Sequence, residues 1–191
     1  MFNRLSVRKL FVALSLMAVA GTAPAEQTMP DASCTTSANL AGNRSYQVKL
    51  PTYDGHVVSF QVMEPKTFNC AAVATGAHPL MLHGPGYGSS RSTSGFTNYR
   101  DAGYTVISWD PRGFGDTSGT VRVMDPEFEG QYYVQILDWA EQNLDYLAWR
   151  NEATDQFVAR PASKNSVAGG VNLVVGAQGG SYGGGYQLML L

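Results

Sequence analysis

The apolar and polar positions of this chain become periodic at residue 45. "SYQVKLP" (45–51) and "HVVSFQVMEP" (56–65) alternate or run apolar on either side of "TYDG", the pattern of two strands joined by an Asp-Gly turn. "PLMLHG" (79–84) reads as a short apolar strand ending in glycine, and "FTNYRDAG" (96–103) as a helix stopped by Gly103. "YTVISWD" (104–110) is short, apolar and β-branched, which suits a buried central strand. At Asp125 the period changes. Asp125 can cap a helix, Pro126 fits its first position, and Glu127 and Glu129 favour its positive end. Tyr133, Ile136, Leu137, Ala140, Leu144 and Leu147 then recur every three or four residues and form one apolar face. Residues 149–169 are polar with Pro and Gly and read as a loop. "VNLVV" (171–175) reads as a further buried strand, followed by a glycine-rich segment and by "YQLMLL" (186–191), which can begin a helix. Strands alternating with helices imply an α/β fold, a mostly parallel sheet covered on both faces, with the antiparallel hairpin at one edge.

The first 45 residues follow a different pattern. Arg4, Arg8 and Lys9 precede the uncharged run "LFVALSLMAVA" (10–20), and "APA" (23–25) offers a small-residue cleavage site. The run is too short to cross roughly 30 Å of hydrocarbon as a helix. Residues 1–25 are therefore expected to be a signal peptide. The mature protein would begin at Glu26, reside in the periplasm or outside the cell, and have no membrane association once cleaved. Residues 26–45 read as a loose lead-in, and 46–191 as the folded domain. At 191 residues, 44% hydrophobic, the chain can build one real core. Its net charge is −2 and its basic residues are few and scattered, which argues against a nucleic-acid surface. Cys34 and Cys70 are the two cysteines. An exported protein can join them in a disulfide, although two free buried thiols are the alternative. Neither has histidines at metal-ligand spacing, so no metal is expected, and no organic cofactor is implied.

Candidate chemistry lies near the end. Gly179-Gly180-Ser181-Tyr182-Gly183 satisfies G-x-S-x-G. That pattern is weak alone and stronger between an expected strand and an expected helix. A serine at the tip of so sharp a turn needs small residues at 179 and 183. The turn would lift the Ser181 hydroxyl above the carboxyl edge of the sheet and aim the Tyr182 N–H at a developing oxyanion. "HGPGYG" (83–88) ends an upstream strand and would supply the second oxyanion donor. Pro85 has no N–H, so that donor is expected from the Gly86 or Tyr87 backbone or from the Tyr87 hydroxyl. His83 is expected to pin this loop rather than act as a base. In "WDPRGFGDTSG" (109–119), Asp110 and Arg112 could pair and hold the adjacent loop.

With these residues in view, the chain resembles a known group. "HGPGYGSSR", "YTVISWDPRGFGDTSG", "DPEFEGQ…ILDWAEQN" and "GGSYGGGYQ" are similar to the α/β-hydrolase superfamily, and within it to the X-Pro dipeptidyl-peptidase and cocaine-esterase-like (acyl esterase) branch, over roughly residues 46–191. The resemblance implies an α/β-hydrolase fold, Ser181 as nucleophile, Tyr182 as oxyanion donor, and small ester, amide or short-peptide substrates. Two departures stand out. Gln131-Tyr132-Tyr133 follow "EG" where members of the branch commonly carry an aspartate. The catalytic Asp and His, which follow the serine in such enzymes, have no counterpart in this chain. His56, His78 and His83 are not expected to substitute. The chain is thus expected to be the N-terminal part of a longer serine hydrolase and inactive by itself, with an open sheet edge and exposed apolar surface near Tyr186–Leu191. The alternative is a non-catalytic binding or scaffold protein of the same fold.

Overall fold

The computed structural model describes residues 42–66, 68, 78–162 and 167–189. Residues 1–25, most of the lead-in, and Cys34 and Cys70 lie outside them.

The Asp-Gly hairpin forms as its pattern requires. β1 (Ser45–Pro51) and β2 (Val57–Met63) pair antiparallel from Ser45↔Met63 to Pro51↔Val57. The turn closes through Thr52 N–H to the His56 carbonyl (2.9 Å), with Gly55 at φ 80°, a conformation glycine adopts without steric cost. β2 pairs antiparallel with β4 (Thr105–Trp109). β4 lies parallel to β3 (Leu80–His83), and β3 parallel to β8 (Val175–Gln178). The sheet order is β1-β2-β4-β3-β8.

Alternation along the strands decides where the core sits. Val58, Phe60, Val62, Leu80, Leu82, Ile107 and Trp109 share one face and are buried. The long helix α2 (Gln131–Asn143) lays Tyr133, Ile136 and Ala140 against them, and Phe60 meets Trp139 edge-on at 5.0 Å. The opposite face carries Gln61, Ser108 and His83. There the short helix α1 (Thr97–Asp101), stopped by Gly103 at φ 90°, contacts β4. Asp125 caps the long helical segment, accepting from the Glu127 N–H at 2.9 Å, but the first turn, Pro126–Gly130, is π-helical. The helix ends at Asn143, sooner than its apolar stripe, yet Leu144 and Leu147 are still buried. Among the described residues no helix is long and apolar enough to cross a membrane.

Two stretches differ from expectation. Residues 149–169 are not simply a loop. Trp149–Asn151 (β5) and Phe157–Val158 (β6) join Val171–Leu173 (β7) in a small antiparallel sheet of order β6-β5-β7. Its strands are too short to show a period. The buried Trp149, Val171 and Leu173 hold it to the core. "VNLVV" is not one strand either. The chain leaves the small sheet at Val174, whose N–H bonds Ala148 and whose carbonyl accepts from Leu80, both at 2.9 Å. It then enters the large sheet as "VGAQ". That strand, β8, ends the described sheet, so Val175 is exposed rather than buried.

Candidate active site

Three glycines make the turn that carries Ser181. β8 ends at Gln178, and helix α3 (Tyr182–Leu188) begins four residues later. Ser181 bridges them at φ 52°, ψ −123°, a conformation that a residue with a side chain keeps only under constraint. The constraint is close packing. A Cβ on Gly183 would lie 1.9 Å from the Gly84 carbonyl oxygen, and one on Gly179 would lie 2.6 Å from the same oxygen and from the Gly183 carbonyl. The Gly84 N–H in turn donates to the Gln178 carbonyl at 3.1 Å. The ends of β3 and β8 and the first turn of α3 are therefore in backbone contact, which only glycine permits at 179 and 183. The helix starts at Tyr182 and runs through the glycines that follow. The Ser181 carbonyl accepts from the Gly184 and Gly185 N–H groups, and Tyr186 is fully buried, while Leu188 is exposed. Apolar exposure expected from 186 onward thus excludes Tyr186, whose ring packs on Trp109 at 4.8 Å.

The loop after β3 lies against this turn, since the same Gly183 Cβ would approach the Pro85 carbonyl oxygen to 2.9 Å. The Gly86 and Tyr87 N–H groups are not hydrogen-bonded among the described residues. Tyr87 is 61% exposed and sets its ring edge-on to Tyr182 (5.2 Å) and Phe114 (5.1 Å). The candidate oxyanion donors Tyr182, Gly86 and Tyr87 are thus neighbours of the serine turn. Asp110 and Arg112 do not pair with each other. The buried Asp110 carboxylate takes the backbone N–H and guanidinium of Arg91 and the Asp116 N–H, so it anchors the loop that follows Gly88. Arg112 turns the other way, to Asp54 and the Tyr132 hydroxyl.

Each histidine is engaged elsewhere. His83 places Nδ1 2.9 Å from the Ser108 hydroxyl, which also accepts from the Ser92 N–H; its ring packs on Phe96. Burial lowers its pKa, and burial likewise lowers that of His78 against the raising effect of the Gly103 carbonyl, which lies 2.7 Å from its Nδ1. His78 stands at the amino ends of the parallel strands, away from Ser181. His56 lies 3.4 Å from the Ser118 hydroxyl.

One residue of this neighbourhood had no distinct signal in the sequence. Glu129 reads as a first-turn acid, yet it is fully buried and 2.8 Å from the Tyr182 hydroxyl. It lies in the π-helical turn that opens the long helical segment.

The model of the family described as X-Pro dipeptidyl-peptidase (S15 family) matches residues 54–191. The chain belongs to that family. It is accordingly a member of the α/β serine-hydrolase superfamily, and its mixed sheet is a partial α/β-hydrolase fold. A search of curated proteins returns no match. Among solved structures it is distantly similar to the α/β hydrolase GrgF from Penicillium sp. sh18 (19% identity, 52% of this chain and 33% of that one, TM-score 0.39). It is likewise similar to the Pyrococcus furiosus esterase Pf2001 (20%, 52% and 37%, 0.40), and to XC6422 of Xanthomonas campestris, an α/β serine hydrolase without a lid (15%, 58% and 50%, 0.39). The chain spans a third to a half of the length of these structures.

Proposed function

We propose that this S15-family chain carries the nucleophile and oxyanion site of a serine hydrolase acting on ester or amide bonds of small acyl compounds or short peptides. The observation that carries the reading is the backbone of Ser181, held at φ 52° in a turn where Gly179 and Gly183 admit no side chain. In the proposed reaction the Ser181 oxygen attacks the substrate carbonyl as its proton passes to an imidazole. The oxyanion is held by the Tyr182 N–H, which opens α3 ahead of the helix's own hydrogen-bond ladder, and by a donor from Gly86 or Tyr87. The imidazolium returns the proton to the departing alcohol or amine. Water, deprotonated by the same imidazole, then cleaves the acyl-enzyme. His56, His78 and His83 are committed to other partners, so we assign the imidazole and its orienting carboxylate to polypeptide outside the described residues. The leader pattern in residues 1–25 supports action in the periplasm or outside the cell.

Pre-steady-state hydrolysis of p-nitrophenyl acetate tests this, using protein made from the complete reading frame. The expected result is a burst of one p-nitrophenolate per chain, abolished by Ser181→Ala. A burst that survives the substitution contradicts the reading.

A further inference from the structure

Two of the strained non-glycine residues of the described chain lie in a segment held by one carboxylate, and a third, Ser181, precedes a residue bonded to it. Six such residues have positive φ: Asn43, Phe96, Val123, Met124, Asp155 and Ser181. Val123 (55°) and Met124 (61°) lie immediately before the helix cap at Asp125. A β-branched residue in this region is a genuine outlier, so something must hold the segment. The holder is Glu129. Its Oε1 accepts from the Arg122 N–H (3.1 Å), and its Oε2 accepts from the Met124 N–H (2.7 Å) and from the Tyr182 hydroxyl (2.8 Å). The Met124 N–H also leans toward the Tyr182 hydroxyl at 3.3 Å. No basic side chain pairs with Glu129 among the described residues, so backbone and phenol donors alone compensate a fully buried carboxylate. The same loop touches α3 a second time: Met124 fills the space beside Gly185, where a Cβ would meet its Cε at 2.1 Å.

We propose that Glu129 is a positioning residue for the Ser181 turn, acting through the Tyr182 hydroxyl. The assignment rests on the reading of Ser181 as nucleophile. A conformation as costly as that of Ser181 persists only when its surroundings over-determine it. The glycine contacts hold one side of the turn. On the other side Tyr182 is 7% exposed, between the rings of Tyr87 (5.2 Å) and Tyr186 (4.8 Å). The hydrogen bond to Glu129 adds a directional constraint at the hydroxyl, which ring contacts do not supply. Because Tyr182 directly follows the serine, fixing its ring fixes both the Ser181 backbone and the N–H proposed for the oxyanion. Glu129 lies in the π-helical turn Pro126–Gly130, where it and Gly130 are the buried residues.

Two measurements on protein from the complete reading frame test the assignment, with Tyr182→Phe, Glu129→Gln and the double variant. Tyr182→Phe deletes one oxygen and keeps the ring, so it remains informative if Glu129→Gln fails to fold. Hydrogen exchange should rise in the peptide covering 179–186 and stay unchanged in the peptide covering 105–109. Saturation labelling of Ser181 by a fluorophosphonate should show kinact lowered about tenfold with KI unchanged, the size of one lost charge-assisted hydrogen bond. The double variant should be no worse than the poorer single one. Unchanged kinact in folded variants, or losses that multiply in the double variant, would overturn the proposal. A wild-type protein that is not labelled at residue 181 would defeat the nucleophile reading instead. The exchange comparison would then decide alone: local release retains Glu129 as the holder of the turn, and unchanged exchange removes it.

Discussion

At the scale of single residues, the glycines around Ser181 divide into two kinds. Gly179 and Gly183 face backbone atoms that cannot retreat, whereas a Cβ on Gly180 would meet nothing within 4 Å, and Gly180 does not need positive φ. Gly183→Ala should therefore cost about 3 kcal/mol of stability, the upper range of core overpacking. Gly180→Ala should stay within about 0.5 kcal/mol, as for an open surface site. Urea denaturation of the two variants checks this, and equal losses would mean that the turn is not packed as described. The two restrictive positions were legible in the sequence because the requirement is local: G-x-S-x-G states the steric demand of the turn directly. Gly84 and Glu129 were not. Each acts on the turn from far along the chain, Glu129 53 residues away from Tyr182, and no spacing rule connects them. The same limit explains Asp110. By sequence it could pair with Arg112 two residues on, but the loops fold so that Arg91 reaches it and Arg112 faces the hairpin.

At the scale of elements, that second pairing ties three pieces together. Arg112, from the loop after β4, meets Asp54 of the β1–β2 turn, and the Tyr132 hydroxyl at the start of α2 completes the set at 3.1 Å. Burial by itself would raise the Asp54 pKa. Hydrogen bonds from Thr52, Arg112 and Tyr132 outweigh it and hold the carboxyl down to about 2, below its ordinary value of about 3.9. A depressed folded-state pKa stabilises the fold above the unfolded value and loses that contribution as pH falls. The melting temperature of wild type should thus exceed that of Asp54→Asn at pH 6, and the gap should close between about pH 4 and pH 2. A gap constant with pH would show that Asp54 contributes shape, not charge. Long periodic elements such as α2 and the hairpin were readable in advance. β5, β6 and β7 were not, because strands of two or three residues gain their order from Trp149 and Leu173 packing on the core rather than from a pattern of their own.

At the scale of the molecule, the order β1-β2-β4-β3-β8 brings the ends of β3 and β8 side by side, with His83 level with Gln178. This adjacency sets the glycine-rich loop of 84–88 against the serine turn, although about ninety residues separate them in sequence. The parallel, mostly buried strands made the α/β class legible early, and the S15 match over 54–191 agrees with it. The same topology gives each histidine a partner other than Ser181. His83 projects to the α1 face, His78 sits at the opposite end of the strands, and His56 lies beside the hairpin turn. The account therefore depends on Ser181 being a reactive hydroxyl at an exposed strand-to-helix bend. Mass spectrometry of protein from the complete reading frame, after treatment with a fluorophosphonate, examines that most directly. The account predicts a single adduct, on the peptide containing Ser181, and none on Ser181→Ala. An adduct on another serine, or an unmodified residue 181 in folded protein with esterase activity, would contradict it.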